Sequence, residues 1–140
     1  MSISLEAARE AVDAALAHAA DLRVDAAVTV VDQGGHVITM SRMDDAAIIA
    51  VRMSADKAYT SAVTRMPTAD WHPLVQPGES LFGLTSAEAG RIITFGGGLP
   101  LETENGVAGA IGVAGGSVAE DVAIAEAGQR GWRPASWTGA

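Results

Sequence analysis

The side chains best suited to proton transfer are grouped in the segment Lys57-Ala58-Tyr59-Thr60. A lysine can hold an anion, or it can act as a base if removal from water lowers its pKa. Tyr59 is the sole tyrosine, and a buried phenol usually finds a hydrogen-bond partner. We therefore expect Lys57 and Tyr59 to be catalytic and Thr60 to contact the substrate. The alternative is a lysine that lies along the surface and pairs with Asp56 or another nearby acid.

An arginine at the end of a predicted strand is the candidate for anion binding. Arg42 is followed closely by two acids, Asp44 and Asp45. A guanidinium can hold a carboxylate through two parallel hydrogen bonds, so Arg42 is a substrate-binding candidate. A surface ion pair with Asp44 or Asp45 explains the same pattern equally well.

A long segment without regular periodicity carries several aromatic and ionisable side chains. Trp71, His72 and Phe82 lie in or beside it. A loop of this length in a compact domain is often functional. We expect it to form a lid or an aromatic pocket wall, with Trp71 and Phe82 contacting substrate. His72 is the histidine best placed for acid–base chemistry or ligation, and Glu88 is a further candidate for proton transfer.

Three consecutive glycines, Gly96, Gly97 and Gly98, stand in the most distinctive stretch of the chain. They weaken a strand but allow a sharp bend or a close approach of the backbone. One interpretation is a bulge or tight crossover at a sheet edge. The other is a pocket wall that offers backbone N–H groups to a substrate. The stretch matches neither a P-loop nor a dinucleotide-binding fingerprint.

The elements that must position these side chains follow from periodicity and from turn and capping signals. The pattern predicts helices over 4–22, 46–65 and 118–130, a hairpin over 26–43, a short helix from Thr85 to Gly90, and a second hairpin between Ile92 and Val113. The two capping boxes are Thr85-Ser86-Ala87-Glu88 and Ser117-Val118-Ala119-Glu120. Antiparallel hairpins between helices indicate an α+β sandwich with one antiparallel sheet.

Composition excludes several classes of function. The 140 residues suit one domain, and 49% of them are apolar. The net charge of −8 disfavours nucleic acid and anionic membrane surfaces as partners. The chain has no cysteine, which excludes disulfides, zinc–thiolate sites and thiol catalysis. We see no signal peptide, transmembrane span or metal site, so a cytoplasmic location is expected.

The chain resembles the GlcG/HbpS family (DUF336 domain), and it does so through motifs that keep the family's order and spacing. These are Val31-Asp32-Gln33-Gly34-Gly35-His36, Arg42-Met43-Asp44, Lys57-Ala58-Tyr59-Thr60, Gly90-Arg91, Phe95 to Leu101, and Gly109 to Gly116 followed by Asp121. The resemblance implies a profilin-like sandwich with a five-stranded antiparallel sheet over residues 1–130. It also implies homo-oligomers, from dimers to octamers, and haem or tetrapyrrole binding in some members.

The last ten residues form a separate segment, residues 131–140, that contains Trp132 and Trp137. Two exposed tryptophans would be unusual. We expect this tail to pack on the domain or on a neighbouring subunit.

Three functions are compatible with these observations. The first is a cofactor-free enzyme, such as an isomerase, lyase, hydratase or condensing enzyme, that acts on a small carboxylated or carbonyl compound. The alternative is a haem or tetrapyrrole-binding protein with an axial ligand from His72 or His36 and basic groups for the propionates. The basic candidates are Arg42, Lys57, Arg65 and Arg91. The third is a non-catalytic oligomeric scaffold.

Overall fold

The computed structural model describes residues 2–134, and Trp137 therefore lies outside the described residues. The chain forms three long helices and four strands. They are α1 (Leu5–Leu22), β1 (Ala27–Asp32), β2 (Val37–Arg42), α2 (Ile48–Thr64), β3 (Gly98–Thr103), β4 (Gly106–Ala114) and α3 (Val118–Gly131). Short 3-10 turns cover Thr68–Leu74, Leu84–Ser86 and Glu88–Gly90. Within this part of the chain no helix is long and apolar enough to cross a bilayer.

The sheet has four antiparallel strands in the order β2-β1-β4-β3. The α+β class is as predicted, but the expected five strands are not present in residues 2–134. The profilin-like assignment stays a prediction. The apolar run at Ile92 is not a strand, because it joins no ladder. Ile93 instead donates its N–H to the Thr60 hydroxyl at 3.0 Å, and the strand begins only at Gly98.

The two faces of the sheet are covered by different helices. Val28 and Val30 of β1 point into the larger apolar core, which also contains the buried sides of α1 and α3. Val31 packs instead on the other face, against alanines of α2. Thr29 also faces α2, and its hydroxyl lies 2.8 Å from the hydroxyl of Ser54. The sheet therefore separates α1 and α3 from α2.

Glycines let α2 lie directly on the sheet. A Cβ on Gly112 would collide with the carbonyl oxygen of Ser54, and one on Gly98 would lie 2.5 Å from the carbonyl oxygen of Lys57. Side chains at these positions would push the helix outward. The glycines thus fix the height of α2 above the sheet and the direction in which Lys57 projects.

Of the two capping boxes predicted from the sequence, the structure contains one. Ser4 caps α1, and Ser117 with Glu120 forms the expected capping box of α3. The predicted short helix from Thr85 is wrong, because the chain makes two single 3-10 turns there instead. Glu88 and Ala89 both have positive φ, at 52° and 56°. A left-handed backbone at two successive residues cannot continue a right-handed helix.

The two edges of the sheet differ. β3 carries Pro100, which has no N–H to offer, and the carbonyl of Pro100 accepts a hydrogen bond from the side chain of Gln129 at 2.9 Å. β2, at the other edge, has no proline and is only partly buried. A proline inside a strand is tolerated at an edge position.

The close contact between α2 and β4 predicts a large effect of Gly112→Ala. The new methyl group would meet the α2 backbone, which has little freedom to move, so we expect a loss of about 1–3 kcal/mol of unfolding free energy. Gly34→Ala is the control, because its Cβ would meet only side chains in an exposed turn, the nearest at 3.1 Å. Urea denaturation measures both. Equal stability of the two variants would contradict the contact.

Candidate functional site

Lys57 is the only lysine of the chain and is completely buried. Its Nζ donates to Asp121 Oδ2 at 2.9 Å and to the carbonyl of Val113 at 2.8 Å. The other oxygen of Asp121 accepts the N–H of Gly116 at 2.8 Å. The ring centroid of Phe95 lies 5.2 Å from the ammonium. The ion pair therefore connects α2 on one face of the sheet to the first turn of α3 on the other.

Burial moves the pKa of both partners towards the neutral state. Desolvation lowers the pKa of Lys57, against the opposing effect of Asp121. Desolvation likewise raises the pKa of Asp121, and the hydrogen bonds from Lys57 and Gly116 only partly offset it. Transfer of the shared proton from Lys57 to Asp121 would give an uncharged amine and an uncharged acid. The buried environment brings that neutral pair closer in free energy to the ion pair.

A cavity of about 210 Å³ adjoins this ion pair, and we call it the Lys57 pocket. Its remaining wall is almost entirely apolar, being lined by Ala47, Ile49, Ala50, Met53, Phe95, Ala114, Gly115, Gly116 and Val118. Ile49 and Val118 are 64% and 50% exposed, so they mark the outer rim. Lys57 and Asp121 are buried, so they form the deep end.

A second cluster forms around Tyr59. Its hydroxyl donates to Glu88 at 2.9 Å, and the guanidinium of Arg91 lies 3.7 Å from the ring centroid. Arg91 also pairs with Asp56 at 3.1 Å. The hydrogen bond to Glu88 raises the pKa of the phenol, and burial adds to it. Residues two apart on a helix face different directions, so Tyr59 and Glu88 meet each other but not Lys57.

Thr60 and the three glycines have structural contacts. The Thr60 hydroxyl lies within hydrogen-bond distance of the carbonyls of Asp56 and Arg91, at 2.8 and 3.1 Å. Gly96, Gly97 and Gly98 are all buried. A Cβ on Gly97 would stand 2.7 Å from the Lys57 Nζ. Gly97 therefore borders the lysine, whereas Gly96 and Gly98 permit close packing.

The other predicted site residues do not gather around Lys57. Trp71 is half-buried, and its indole N–H points to the Thr64 hydroxyl at 3.4 Å. His72 is exposed beside Gln76, and Phe82 is 67% exposed. Arg42 is exposed at the end of β2 and makes no ion pair within residues 2–134. Substrate binding by Arg42, Trp71 and Phe82 and acid–base chemistry by His72 stay predictions.

Sequence reasoning gave Asp121 no chemical role. An acid in the first turn of α3 is favourable for the helix dipole, so the position of Asp121 has a local explanation that does not require Lys57. One signal was available. A single lysine in an otherwise apolar segment needs a partner if it is buried, and Asp121 follows the strand that packs most directly under α2.

Comparison with known proteins follows this geometry. A family model described as haem degrading protein HbpS-like matches residues 3–130. An uncharacterized 15.0 kDa protein in the dhaT-dhaS intergenic region of Citrobacter freundii is 42% identical over 125 residues, which are 89% of this chain and 88% of that protein. These findings confirm the resemblance to the GlcG/HbpS family.

Two further comparisons involve proteins with named ligands or activities. The corrinoid adenosyltransferase PduO of Citrobacter freundii is 36% identical over 126 residues, or 90% of this chain. The matched part is only 38% of PduO, so the chain spans well under half of that enzyme. A crystal structure of a PduOC–haem complex superposes with a TM-score of 0.91 at 30% identity, covering 99% of this chain and all of that one.

The buried ion pair predicts a non-additive double-mutant cycle. Lys57→Met leaves the Asp121 carboxylate buried and unpaired, which should cost about 3–5 kcal/mol of unfolding free energy at neutral pH. Lys57→Met/Asp121→Asn removes both charges and keeps an acceptor for Gly116, so it should recover most of that loss. Urea denaturation of the natural protein, the two single variants Lys57→Met and Asp121→Asn, and the double variant measures the coupling. Additive losses would show that the two side chains act independently.

The pH dependence of the Lys57→Met variant has a defined sign. The folded chain holds the Asp121 proton more tightly than the unfolded chain, whose pKa is near 3.8. The contribution of this group is therefore fully present below that value and is lost as the pH rises through the folded pKa. Stability of Lys57→Met relative to the double variant should increase when the pH is lowered from neutral towards that range. A constant difference across this pH range would contradict the assignment.

Proposed function

Because the chain belongs to the haem degrading protein HbpS-like family, we propose that it binds haem or a closely related tetrapyrrole. The observation that carries the proposal is the likeness to the PduOC–haem complex over essentially the whole of both chains. This proposal takes haem as the cofactor, whereas the first function expected from the sequence needed none. Bound haem would supply an iron centre for redox or oxygen chemistry, and the residues of this chain would hold and orient it.

Of the residue types that hold haem iron, the chain has histidine, methionine and one tyrosine but no cysteine, and we take a histidine as the candidate ligand. His18 fits this role best. It lies on α1 between the small side chains of Ala17 and Ala19. The imidazole is half-buried and makes no hydrogen bond within residues 2–134, so both ring nitrogens are available.

The other two histidines are held by polar neighbours. The His36 Nδ1 lies 3.2 Å from Asp32 in an exposed turn. A carboxylate behind an imidazole is common among metal ligands, so His36 is the second candidate. His72 is exposed next to the side chain of Gln76. These two were the axial ligands expected from the sequence, and each needs a direct test.

Two of the four basic residues expected to bind propionates are already committed. Lys57 pairs with Asp121 inside the protein. Arg91 pairs with Asp56 and stacks on Tyr59. Arg42 and Arg65 are exposed and form no ion pair in the described part of the chain. Arg65 directly follows α2, on the face of the sheet away from α1 and His18, so Arg42 is the better candidate for a propionate contact.

A cofactor-free enzyme that acts on a small carbonyl compound is the second candidate function. The Lys57 pocket favours it, because an amine with a lowered pKa lies at the deep end of an apolar cavity. The scaffold role, assembly into homo-oligomers, the cytoplasmic location and the packing of the tail stay predictions. Of the tail, Trp132 is buried in the core formed with α1 and α3.

Haemin titration tests the proposed function. We expect a saturable Soret change at one haem per chain for the natural protein. His18→Ala should weaken binding by about tenfold or more, since loss of an axial ligand costs at least as much as loss of a supporting contact. His36→Ala and His72→Ala are the matched controls and should bind as the natural protein does.

Two outcomes separate the possible failures. A weak change that does not saturate, and that is equal in all four proteins, would contradict haem binding. Saturable binding that only His36→Ala or His72→Ala abolishes would keep haem binding and move the ligand to that residue.

A further inference from the structure

We propose that the Lys57 pocket binds a small, neutral, apolar aldehyde or ketone and that the Lys57 amine forms a reversible imine with its carbonyl carbon. This site is separate from the proposed haem ligand, because His18 is not among the residues that line the Lys57 pocket.

The only lysine of the chain lies in an unusual position. Lysine is rarely fully buried unless it is paired, and this chain places its single copy where no surface is exposed. A buried ion pair is also weak evidence for stability, since apolar residues of similar size often serve as well or better. Stability alone therefore does not explain why Lys57 and Asp121 occupy these positions.

The size and lining of the cavity fit a small ligand. Its volume of about 210 Å³ exceeds that of an apolar protein cavity of roughly 150 Å³ that takes up benzene. It lies below the range of about 300–1,000 Å³ that is typical of sites for larger ligands. The size and the apolar wall fit a molecule of a few carbon atoms.

Lys57 keeps one hydrogen-bond donor without an oxygen partner among the described residues. An ammonium has three N–H groups, and Lys57 gives two of them to Asp121 and Val113. Within the described residues the remaining one has no oxygen acceptor, and the ring centroid of Phe95 lies 5.2 Å from the Nζ. A carbonyl oxygen in the pocket would complete the set.

The charge of the surroundings selects a neutral ligand. Lys57 and Asp121 cancel each other, so the deep end carries no net positive charge. A neighbouring groove shares Ala47, Gly115 and Gly116 with the pocket. It is lined by three acids, Asp25, Asp45 and Glu120, and by one base, Arg23, so its net charge is negative. A carboxylate would be repelled there, whereas a neutral aldehyde or ketone would not.

The covalent step balances with the groups present. Lys57 first passes one proton to Asp121, 2.9 Å away. The neutral amine attacks the carbonyl carbon, and the carbonyl oxygen takes a proton from Asp121 as the carbinolamine forms. Loss of the N–H proton to Asp121 and return of a proton to the hydroxyl releases water and leaves the carbon–nitrogen double bond. No oxidant or reductant is consumed.

Access requires movement of the pocket wall, because Lys57 has no exposed surface in the resting structure. Met53 and Phe95 line the cavity and are only half-buried, so they are the walls with room to move. The rim residue Val118 is half exposed. A larger side chain at that position would narrow the entrance without entering the core.

Reductive trapping with butanal and sodium cyanoborohydride tests the proposal on the full chain, read by peptide mass mapping. The chain offers two amines, the N-terminus and Lys57, and each adduct is assigned to its own peptide. We expect one reduced adduct on Lys57. Val118→Trp should slow its formation by about tenfold, whereas Val37→Trp, at a remote position that is 55% exposed, should not.

Three outcomes would overturn the proposal. In the first, only the N-terminus is modified. In the second, Val118→Trp and Val37→Trp react at the same rate as the natural protein, which would mean that Lys57 reacts only after global unfolding. In the third, a bulky aldehyde such as pyrene carboxaldehyde reacts with Lys57 as fast as butanal does. The experiment uses no haem, so its result is independent of the haemin titration.

Discussion

The buried contact between Lys57 and Asp121 is the interaction on which the rest of the structure depends. It connects two helices that lie on opposite faces of one sheet. Such a connection is possible only where α2 approaches the sheet closely, which is why Gly98 and Gly112 lie under it. Because Gly97 has no side chain, the ammonium of Lys57 can lie beside its backbone. The glycines allow the close packing that the ion pair needs, and the ion pair in turn joins the helices that pack on the glycines.

Much of the fold follows from local sequence signals. α1, the first hairpin and α3 lie where periodicity and capping residues predict them, because these elements are determined by neighbours close in sequence. The strand expected at Ile92 is absent for a non-local reason: Thr60, more than thirty residues away, takes the hydrogen bond that a strand partner would have received. The helix predicted from Thr85 does not form, because Glu88 and Ala89 both have positive φ. Glutamate and alanine rarely adopt this conformation, so the sequence does not indicate it.

The sequence named individual candidate residues but could not show how they group. Lys57, Tyr59 and Glu88 all make side-chain hydrogen bonds, yet α2 directs Lys57 and Tyr59 into different clusters. Their predicted catalytic roles stay predictions. Which cluster a helical residue joins depends on the rotation of α2 about its axis. That rotation is fixed by the glycines on the sheet, which are far from α2 in sequence. The importance of Asp121 was missed for the same reason.

The unequal edges of the sheet have a consequence for association between chains. At β3, Pro100 offers no donor and its carbonyl is occupied by Gln129, so an incoming strand would find neither partner there. Natural sheets use such devices to prevent uncontrolled edge-to-edge aggregation. β2 has no equivalent protection. Addition of a further strand is therefore less hindered along β2 than at Pro100 of β3, so any contact between chains that extends the sheet should use the β2 edge.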